Sequence, residues 1–533
     1  MTDFDVVVIG AGNAGLTAAV AAQRGGAKTL LLERHNIPGG CATSFIRGDF
    51  EFEVALHQLS GMGTDEKPFI MRQVFAKLGI MDKLEVVEEE SLYRIVMPGE
   101  FDVTLPASVS GLKATLSEKF PAEAENVAKY LKLCETICLE AFMMVPRAMK
   151  ANDEAMLTKS CPNYVKYGLR STKDVLDEFF DDADLKAIVA AYWCYIGMPT
   201  KDIPFTDMAI MLYSYAAYKP VHIKGGSQAI SSALLESFME AGGEIRFNCG
   251  AQKILTSEDA EGKTSITGVI AENGEEFSCS SVVSNASPII TFNELLDTDQ
   301  PPVQAAEDFK SRRLGTSAFV MYIGLDCKPE DIGVTAASTF IIDDRDEEVA
   351  HKNMQSMTPP MHTMLTCYNY EDPSFAPEGK TALSLLCLQY GEPWESVAPE
   401  DYAKTKYEFA DHLIAHAERI FPGIRDNIEE VEVGTPLTMM RYLNTPGGAI
   451  YGFQQNTQDG VLFRERMDEV DGLFMAGCWN GMGGFQPTYM IGESTGRAVA
   501  KKIKKKQLEA QQAETEQAKA VQTKETEQEV ASV

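Results

Sequence analysis

Asp5-Val-Val-Val-Ile-Gly10-Ala-Gly12-Asn-Ala-Gly15, continued by Glu33-Arg-His-Asn-Ile-Pro-Gly-Gly40, is the stretch around which the chain is organised. Asp5 to Ile9 is an almost unbroken apolar run rich in β-branched residues, which reads as a buried strand of a parallel sheet. Gly10, Gly12 and Gly15 follow at G-x-G-x-x-G spacing around Asn13 and Ala14. Leu16 to Gln23 then reads as a helix, and Lys28 to Leu32 as a second strand ending on Glu33. Gly10 permits the tight turn, Gly12 lets a pyrophosphate approach the backbone, and Gly15 lets helix and strand pack closely. The helix start offers free N–H groups and the positive end of its dipole to phosphate. Glu33, about twenty residues on, stands where a carboxylate accepts hydrogen bonds from a ribose.

A lone glycine motif is weak, but strand before, helix after and acid beyond make this one a dinucleotide site. Gly39-Gly40 follows Glu33 by six residues, an extension familiar from FAD-binding proteins rather than NAD dehydrogenases. The pair lets the chain pass close to the diphosphate and flavin end, so the cofactor expected is FAD.

With 533 residues, two connected domains are the natural expectation. Forty-eight basic against 78 acidic residues give a net charge of −30, which repels nucleic acid. No apolar run reaches the ~18–20 residues needed to cross a bilayer. Met1-Thr2-Asp3-Phe4 leads straight into the first strand and leaves no room for a signal peptide. Eleven cysteines, scattered and without a C-x-x-C, fit a reducing cytoplasm with free thiols and no structural zinc. Cys134 and Cys138 read as core or tunnel lining. The localisation expected is cytoplasmic, with peripheral membrane contact as the alternative.

The expected fold is α/β: a Rossmann-like FAD-binding domain, a parallel sheet with helices, interleaved with an α+β substrate domain. The FAD-binding domain takes residues 1–61, 216–290 and 436–503, and the substrate domain takes 62–215 and 291–435. Phe50 to Ala55 alternates as a half-buried strand does. From 62 to 215 the periodicity is helical, with Gly111–Phe120, Glu123–Met149, Thr172–Phe180 and Ala183–Tyr195 as helices. Cys138 to Val145, Tyr192 to Ile196 and Met208 to Tyr218 read equally as core or as walls for a large apolar ligand. Lys224-Gly-Gly-Ser227 opens a helix to Ala241. The strands Glu244–Asn248, Ala251–Leu255, Ser265–Glu272 and Ser281–Asn285 return to the nucleotide sheet. Ala318–Leu325, Ala337–Ile342 and Thr381–Gln389 are strands of the second domain, and Pro399–Phe421 is its long helix. Beyond Lys504 the composition gives a solvated helix or a disordered tail. The cluster Lys501-Lys-Ile-Lys-Lys-Lys506 reads as a helix end or a contact for acidic lipid.

A second motif closes the chain. Val470 to Gly477 is a buried strand running into Cys478-Trp-Asn-Gly-Met-Gly-Gly484-Phe-Gln-Pro487, and Thr488 to Ile503 is a helix with Pro487 in its first turn. The amides of Thr488 to Met490 are expected to face the electron-rich edge of the flavin.

Together these stretches resemble the flavoproteins that include phytoene desaturases, carotenoid isomerases and retinol saturases, within the amine-oxidase-like fold. Val7–Gly15, Glu33–Gly40, Phe52–Gly61, Lys224–Ser227, Thr435–Thr438, Thr445–Gly452 and Gly472–Gly496 carry the likeness over about 500 residues. Gly477-Cys478-Trp479 departs from it by lacking an acidic residue after the glycine, and Phe485-Gln486-Pro487 departs by its bulk. The resemblance implies FAD lying extended, with Gly10, Gly12, Asn13, Ala14 and Gly15 at the diphosphate. It puts Glu33 and Arg34 at the adenosine ribose, Ala251 at the adenine, and Gly39, Gly40 and Cys41 beside the chain's approach to the flavin. Gly477, Gly484, Pro487, Thr488, Tyr489 and Met490 would hold the ribityl–flavin end.

For catalysis, His57 is the polar group best placed to reach the flavin face, or else a core histidine. Tyr451 and Tyr489 are either proton donors or cavity walls. The activity implied is FAD-dependent saturation or desaturation of a carbon–carbon bond in a large apolar, polyene- or lipid-like substrate. The alternatives are a redox-neutral double-bond isomerase and, behind it, an amine oxidase; a flavin-free binding protein on the same fold would be colourless. The electron partner is a soluble donor, a quinone, or none if the net reaction is isomerisation.

Overall fold

The computed structural model describes residues 2–151, 154–298, 302–457 and 470–531. Val6–Ile9 is a wholly buried strand, and the helix Asn13–Arg24 starts directly on the glycine turn. The strand lies at the centre of a five-stranded parallel sheet ordered Leu473–Met475, Ser281–Ser284, Val6–Ile9, Thr29–Leu32, Glu244–Arg246. Three separate parts of the chain therefore build one sheet. Its neighbours leave in opposite directions from Val6–Ile9, which opens a crevice at the carboxyl ends of the strands.

One face of this sheet is covered by Asn13–Arg24 and the C-terminal helix Phe485–Ala531. The two helices touch backbone to backbone: a Cβ on Gly492 would lie 1.9 Å from Thr17 Oγ1, and one on Gly496 2.2 Å from the Ala18 carbonyl. The last helix thereby holds the glycine-loop helix in place. It runs unbroken to Ala531. Lys502 and Lys506 pair with Asp471 at 2.5 and 3.5 Å, and Ile503 is buried. Part of the lysine cluster is thus neutralised by the protein itself.

The strands Ala251–Glu258 and Thr264–Ala271 do not extend the parallel sheet as expected. With Glu276–Ser278 they form a separate antiparallel sheet, because tight turns at Gly262 and Gly274 can only join antiparallel neighbours.

The second large sheet has seven strands: Ile428–Gly434, Ser317–Leu325, Thr381–Gln389, His362–Cys367, Ser338–Ile342, Ser91–Met97 and Phe101–Pro106. The last two come from the region whose periodicity reads as helical. Phe101-Asp-Val-Thr-Leu105 alternates buried and exposed along its length, the signature of a half-buried strand. The helix Tyr402–Glu418 packs on one face of this sheet. The other face meets a layer of helices that includes Ala124–Leu139 and Phe205–Tyr218. The hairpin Ser44–Arg47 and Phe50–Glu53 leans on the same sheet, with Phe45 and Phe52 against Tyr322. Thr435 to Phe453 also stays beside it, through Ile450 N to Thr316 O at 3.0 Å and Gly315 N to Gly452 O at 2.8 Å.

The long helix expected from Glu123 to Met149 is broken into Ala124–Leu139, a π-helical turn Glu140–Met144, and Val145–Ala151. Pro146 has no N–H to offer the Phe142 carbonyl, so the regular ladder must open there. Glu140 uses the irregularity: its carboxylate accepts from Tyr164 N at 2.7 Å and Asn163 Nδ2 at 2.9 Å, tying down the short helix Pro162–Tyr167.

Candidate functional site

The site begins with main chain. Gly10 adopts φ +88°, and a Cβ on Gly15 would stand 1.8 Å from the Gly10 carbonyl oxygen. No side chain fits there while the turn keeps its shape. Gly12 and Gly39 form a bridge, with Gly39 N donating to Ala11 O at 2.7 Å, so the glycine pair lies along the first turn. Glu33 accepts from Ala11 N at 2.6 Å through one oxygen and from His35 N at 2.7 Å through the other. The carboxylate expected at the ribose therefore also braces the glycine turn, with a lone pair left on each oxygen.

Asn285 is the residue of this cradle that sequence reasoning missed. It follows Ser281–Ser284, donates its N–H to Ile9 O at 2.9 Å, and lies under both glycine motifs. A Cβ on Gly12 would meet its amide nitrogen at 2.8 Å, and one on Gly477 its amide oxygen at 2.7 Å. Only its place, a polar residue at the carboxyl end of a strand beside the glycine turn, could have marked it.

From this cradle extends a cavity of about 720 Å³. One end is lined by Glu33, Arg34, Gly250, Ala251 and Glu272. The middle is lined by Gly10, Gly12, Asn13, Ala14, Gly39, Gly40, Cys41 and Asn285. Beyond them come Gly477 to Thr488, with Met490 and Ile491. Gly15 lies behind the turn, in contact with it rather than with the cavity. Tyr489 stands apart as well: it is buried against Phe75, ring centroids 5.4 Å apart, and does not line the cavity. On a helix, neighbours of Tyr489 such as Thr488 and Met490 point elsewhere, so only some of this run can face one ligand.

The free amides are also not those of Thr488 to Met490. The helix starts at Phe485, three residues earlier, with Thr488 N donating to Gly484 O at 3.2 Å. Pro487 has no N–H, which leaves Phe485 and Gln486 as the unsatisfied donors of the first turn.

The segment leading to Gly61 docks on this same turn. Ser60 Oγ lies 2.5 Å from Gln486 Oε1, and a Cβ on Gly61 would meet the Gln486 amide at 2.7 Å. Tyr215 donates to Gln58 O at 3.2 Å, while Gln58 Nε2 donates to Glu89 at 2.5 Å and to Leu92 O at 2.9 Å. These bonds hold His57 at the cavity wall, its ring 5.8 Å from that of Tyr195. Burial pushes the His57 pKa down to about 4, so its imidazole is neutral at physiological pH. Burial pushes the Glu89 carboxyl up to about 8, with Glu371 adding to the rise.

Tyr451 also lines the cavity, its hydroxyl 3.5 Å from the Cys194 carbonyl and its acidity suppressed by burial. Cys41 and Cys478 line it too, both thiols held up near 12 by burial and hence protonated. Cys134 and Cys138 are core residues; Cys138 Sγ lies 3.7 Å from Ser214 Oγ, whose residue lines the cavity. Beyond His57 the walls are apolar, including Ile210, Met211, Met364, Leu386, Leu388 and Met439. Tyr195 lines this half, within the stretch Tyr192 to Ile196 that reads as core or wall, and the polar side chains of Tyr164, Thr206 and Asp207, which the sequence reading missed, line it too. Asp207 stands just before the apolar stretch Met208 to Tyr218, and no local pattern marks it.

Among the described residues, Asn13 Oδ1, Tyr195 Oη and Thr445 Oγ1 are buried and have no hydrogen-bond partner. All three residues line the cavity. Of the buried polar atoms without a partner, these three belong to cavity-lining residues, so they are the ones a bound molecule would engage. A backbone cradle, free amides at a helix start, a carboxylate at the end of the second strand and an elongated cavity between them fit FAD.

Comparison with known proteins agrees. The model for "Flavin containing amine oxidoreductase" matches residues 13–499. A prolycopene isomerase from Daucus carota is 28% identical over 499 residues, covering 90% of this chain and 77% of the relative. An all-trans-retinol 13,14-reductase from Danio rerio is 27% identical over 482 residues, covering 84% and 77%. In fold, the chain is similar to an oxidoreductase from Methanosarcina mazei, with TM-score 0.60 and 17% identity over 92% of this chain and 99% of that one.

Proposed function

The chain belongs to the family of flavin containing amine oxidoreductases, and on that premise we propose that it acts on a carbon–carbon double bond of a large apolar, polyene-like substrate. The observation that carries this is the continuity of the glycine cradle with a chamber walled by Met, Leu, Ile and Tyr side chains. Prolycopene and all-trans-retinol, named in the relatives' activities, are molecules of that kind. FAD supplies hydride transfer to or from a substrate carbon.

This chain's residues do the rest. Gly10, Gly12, Asn13, Ala14 and Gly40 hold the diphosphate, with Gly15 keeping the turn closed. Glu33, Arg34 and Ala251 take the adenosine end. Gly477, Gly484 and the amides of Phe485 and Gln486 take the flavin end, where the helix start favours negative charge. His57 and Tyr195, neutral and side by side, orient the reacting bond and hold a proton beside it. Tyr451 closes the wall by packing against Gly197, where a Cβ would meet its ring at 3.0 Å. Apolar surface lines the walls and keeps water from the reacting carbons.

The substrate's entry is marked by Leu139, Met143, Val165 and Leu169, exposed side chains alternating in sequence with the cavity residues Ala141, Phe142, Tyr164 and Gly168. An exposed apolar rim of this sort suits loading from a membrane surface. No described helix is long and apolar enough to cross one.

The test is anaerobic reduction of the bound flavin followed by mixing with unsaturated lipids, carotenoids and retinoids. Reoxidation with stoichiometric loss of a double bond supports saturation. Geometric isomerisation with the flavin still reduced would replace that reading by the redox-neutral isomerase. No change in any polyene would sink both.

A further inference from the structure

Asp207 has no evident role in holding the fold. It is the third residue of the helix Phe205–Tyr218, where a carboxylate ordinarily reaches back to the N–H of the capping residue. Here the capping residue is Pro204, which has no N–H. The carboxylate is released from capping and lines the cavity beside Tyr164 and Thr206. No cation pairs with it among the described residues, and only the Thr206 hydroxyl offsets its burial. That burial pushes its pKa up to about 7, whereas an acid kept for stability would be exposed or paired.

The same helix presents Ile210, Met211 and Ser214 to the cavity, one stripe at helical spacing, and Tyr215 bonds the Gln58 carbonyl next to His57. Asp207 and Tyr215 are eight residues apart, a rise of ~12 Å along the helix and the length of about ten carbon–carbon bonds, and Tyr215 is the residue that reaches toward His57. The Tyr164 main chain is held nearby by Glu140, whose carboxylate accepts from its N–H at 2.7 Å. The Tyr164 side chain's own pKa rises with burial and the nearby Asp207, so it remains a neutral hydroxyl.

We infer that Asp207 and Tyr164 form a polar subsite for a terminal hydroxyl on an otherwise apolar substrate, about ten bonds from the double bond that reacts. A hydroxyl both gives and accepts a hydrogen bond, which suits a carboxyl group and a phenol standing together. A hydrocarbon would leave both unmatched, and a buried group left unpaired discriminates strongly. The inference rests on the proposed apolar-substrate reading and narrows it: substrates carry an alcohol at the end remote from the reacting bond.

The flavin-loaded protein is titrated by calorimetry with decane, decan-1-ol and decan-1-amine, monitoring the flavin spectrum in parallel. Decan-1-ol should bind about tenfold or more tighter than decane, the usual gain of a hydrogen bond to a charged group. Asp207→Leu should erase that preference, largely by binding decane more tightly once the unmatched carboxyl is gone, and Asp207→Asn, which keeps shape and one acceptor, should fall between. Equal binding of decane and decan-1-ol to the native protein overturns the subsite, as does an unchanged preference in Asp207→Leu. Tighter binding of the amine than of the alcohol overturns the hydroxyl assignment. Polyene turnover is scored separately: its absence with the alcohol preference intact refutes the reaction and leaves the subsite standing.

Discussion

At its Glu33–Gly40 end the cavity is walled by main chain; at its His57–Asp207 end it is walled by side chains. The first wall is a set of turns in which glycine is required by φ and by contact, as at Gly10 and Gly15. Its recognition groups are amides and a helix start, which any pyrophosphate satisfies. The second wall draws Tyr195, Asp207, Met364, Leu386 and Tyr451 from five separate elements or loops. Its shape and polarity depend on how those elements pack. One end is therefore intolerant of added atoms and general in what it binds, and the other is tolerant and selective.

The largest effect that comparison predicts is at Gly15. Gly15→Val puts side-chain atoms into the Gly10 carbonyl, an overpacking that cannot relax without opening the turn. We expect loss of flavin and a stability cost of about 3 kcal/mol or more, read from the flavin-to-protein absorbance ratio and the thermal midpoint. Gly12→Val, which strikes the Asn285 amide and the pyrophosphate path, should also give colourless protein. Normal flavin content in either variant would break the assignment of this end to main chain.

His57→Ala should act at the other end only. We expect full flavin content with turnover per bound flavin down by ~10²–10⁴-fold. A rate within a few-fold of the native enzyme, with lowered thermal stability, would make His57 a packing residue. Since its pKa is already pushed down to about 4, turnover should show no His57 titration above pH 5.

Glu89 gives a smaller, pH-dependent effect. Its carboxyl is raised to about 8 from 4.5, so the folded protein keeps a proton that the unfolded chain releases. Its contribution is therefore present below pH 4.5 and lost as pH rises toward 8. Glu89→Gln, a neutral shape-mimic, should lose less stability between pH 5 and 8 than the native protein, by up to about 1.4 kcal/mol per pH unit. Parallel thermal-midpoint curves for the two proteins across that range would show that Glu89 does not titrate there.

The smallest effect is expected outside both ends. Ending the chain after Lys506 retains Lys502, Lys506 and their Asp471 partner. Flavin content should be unchanged and the thermal midpoint should move by less than about 2 °C. A larger fall would mean that the tail docks.

How much of this was legible follows from the same contrast. Gly10 to Gly15, Glu33 and Gly39-Gly40 sit within some forty residues, and their conformational demands are local, so spacing alone disclosed them. Gly477 and Gly484 are legible for the same reason, although the helix starts at Phe485, three residues before the Thr488 that the sequence suggests. Asn285 acts on both motifs but shares no local pattern with either. The hairpin Ser91–Met97 and Phe101–Pro106 was lost in a region dominated by helical periods. The π-helical turn needed the joint effect of Pro146 and the Glu140 carboxylate on a distant helix.

The sequence by itself determined the nucleotide fold and the flavin, because turn geometry and strand patterning are properties of short stretches; the apolar ligand came from the family resemblance those stretches carry. Tertiary structure alone decided which tyrosine faces His57, that Tyr489 turns away, and that Asp207 lines the chamber without a cation partner among the described residues. Those facts depend on contacts between residues up to hundreds of positions apart, such as Tyr451 with Gly197, and no local pattern encodes them.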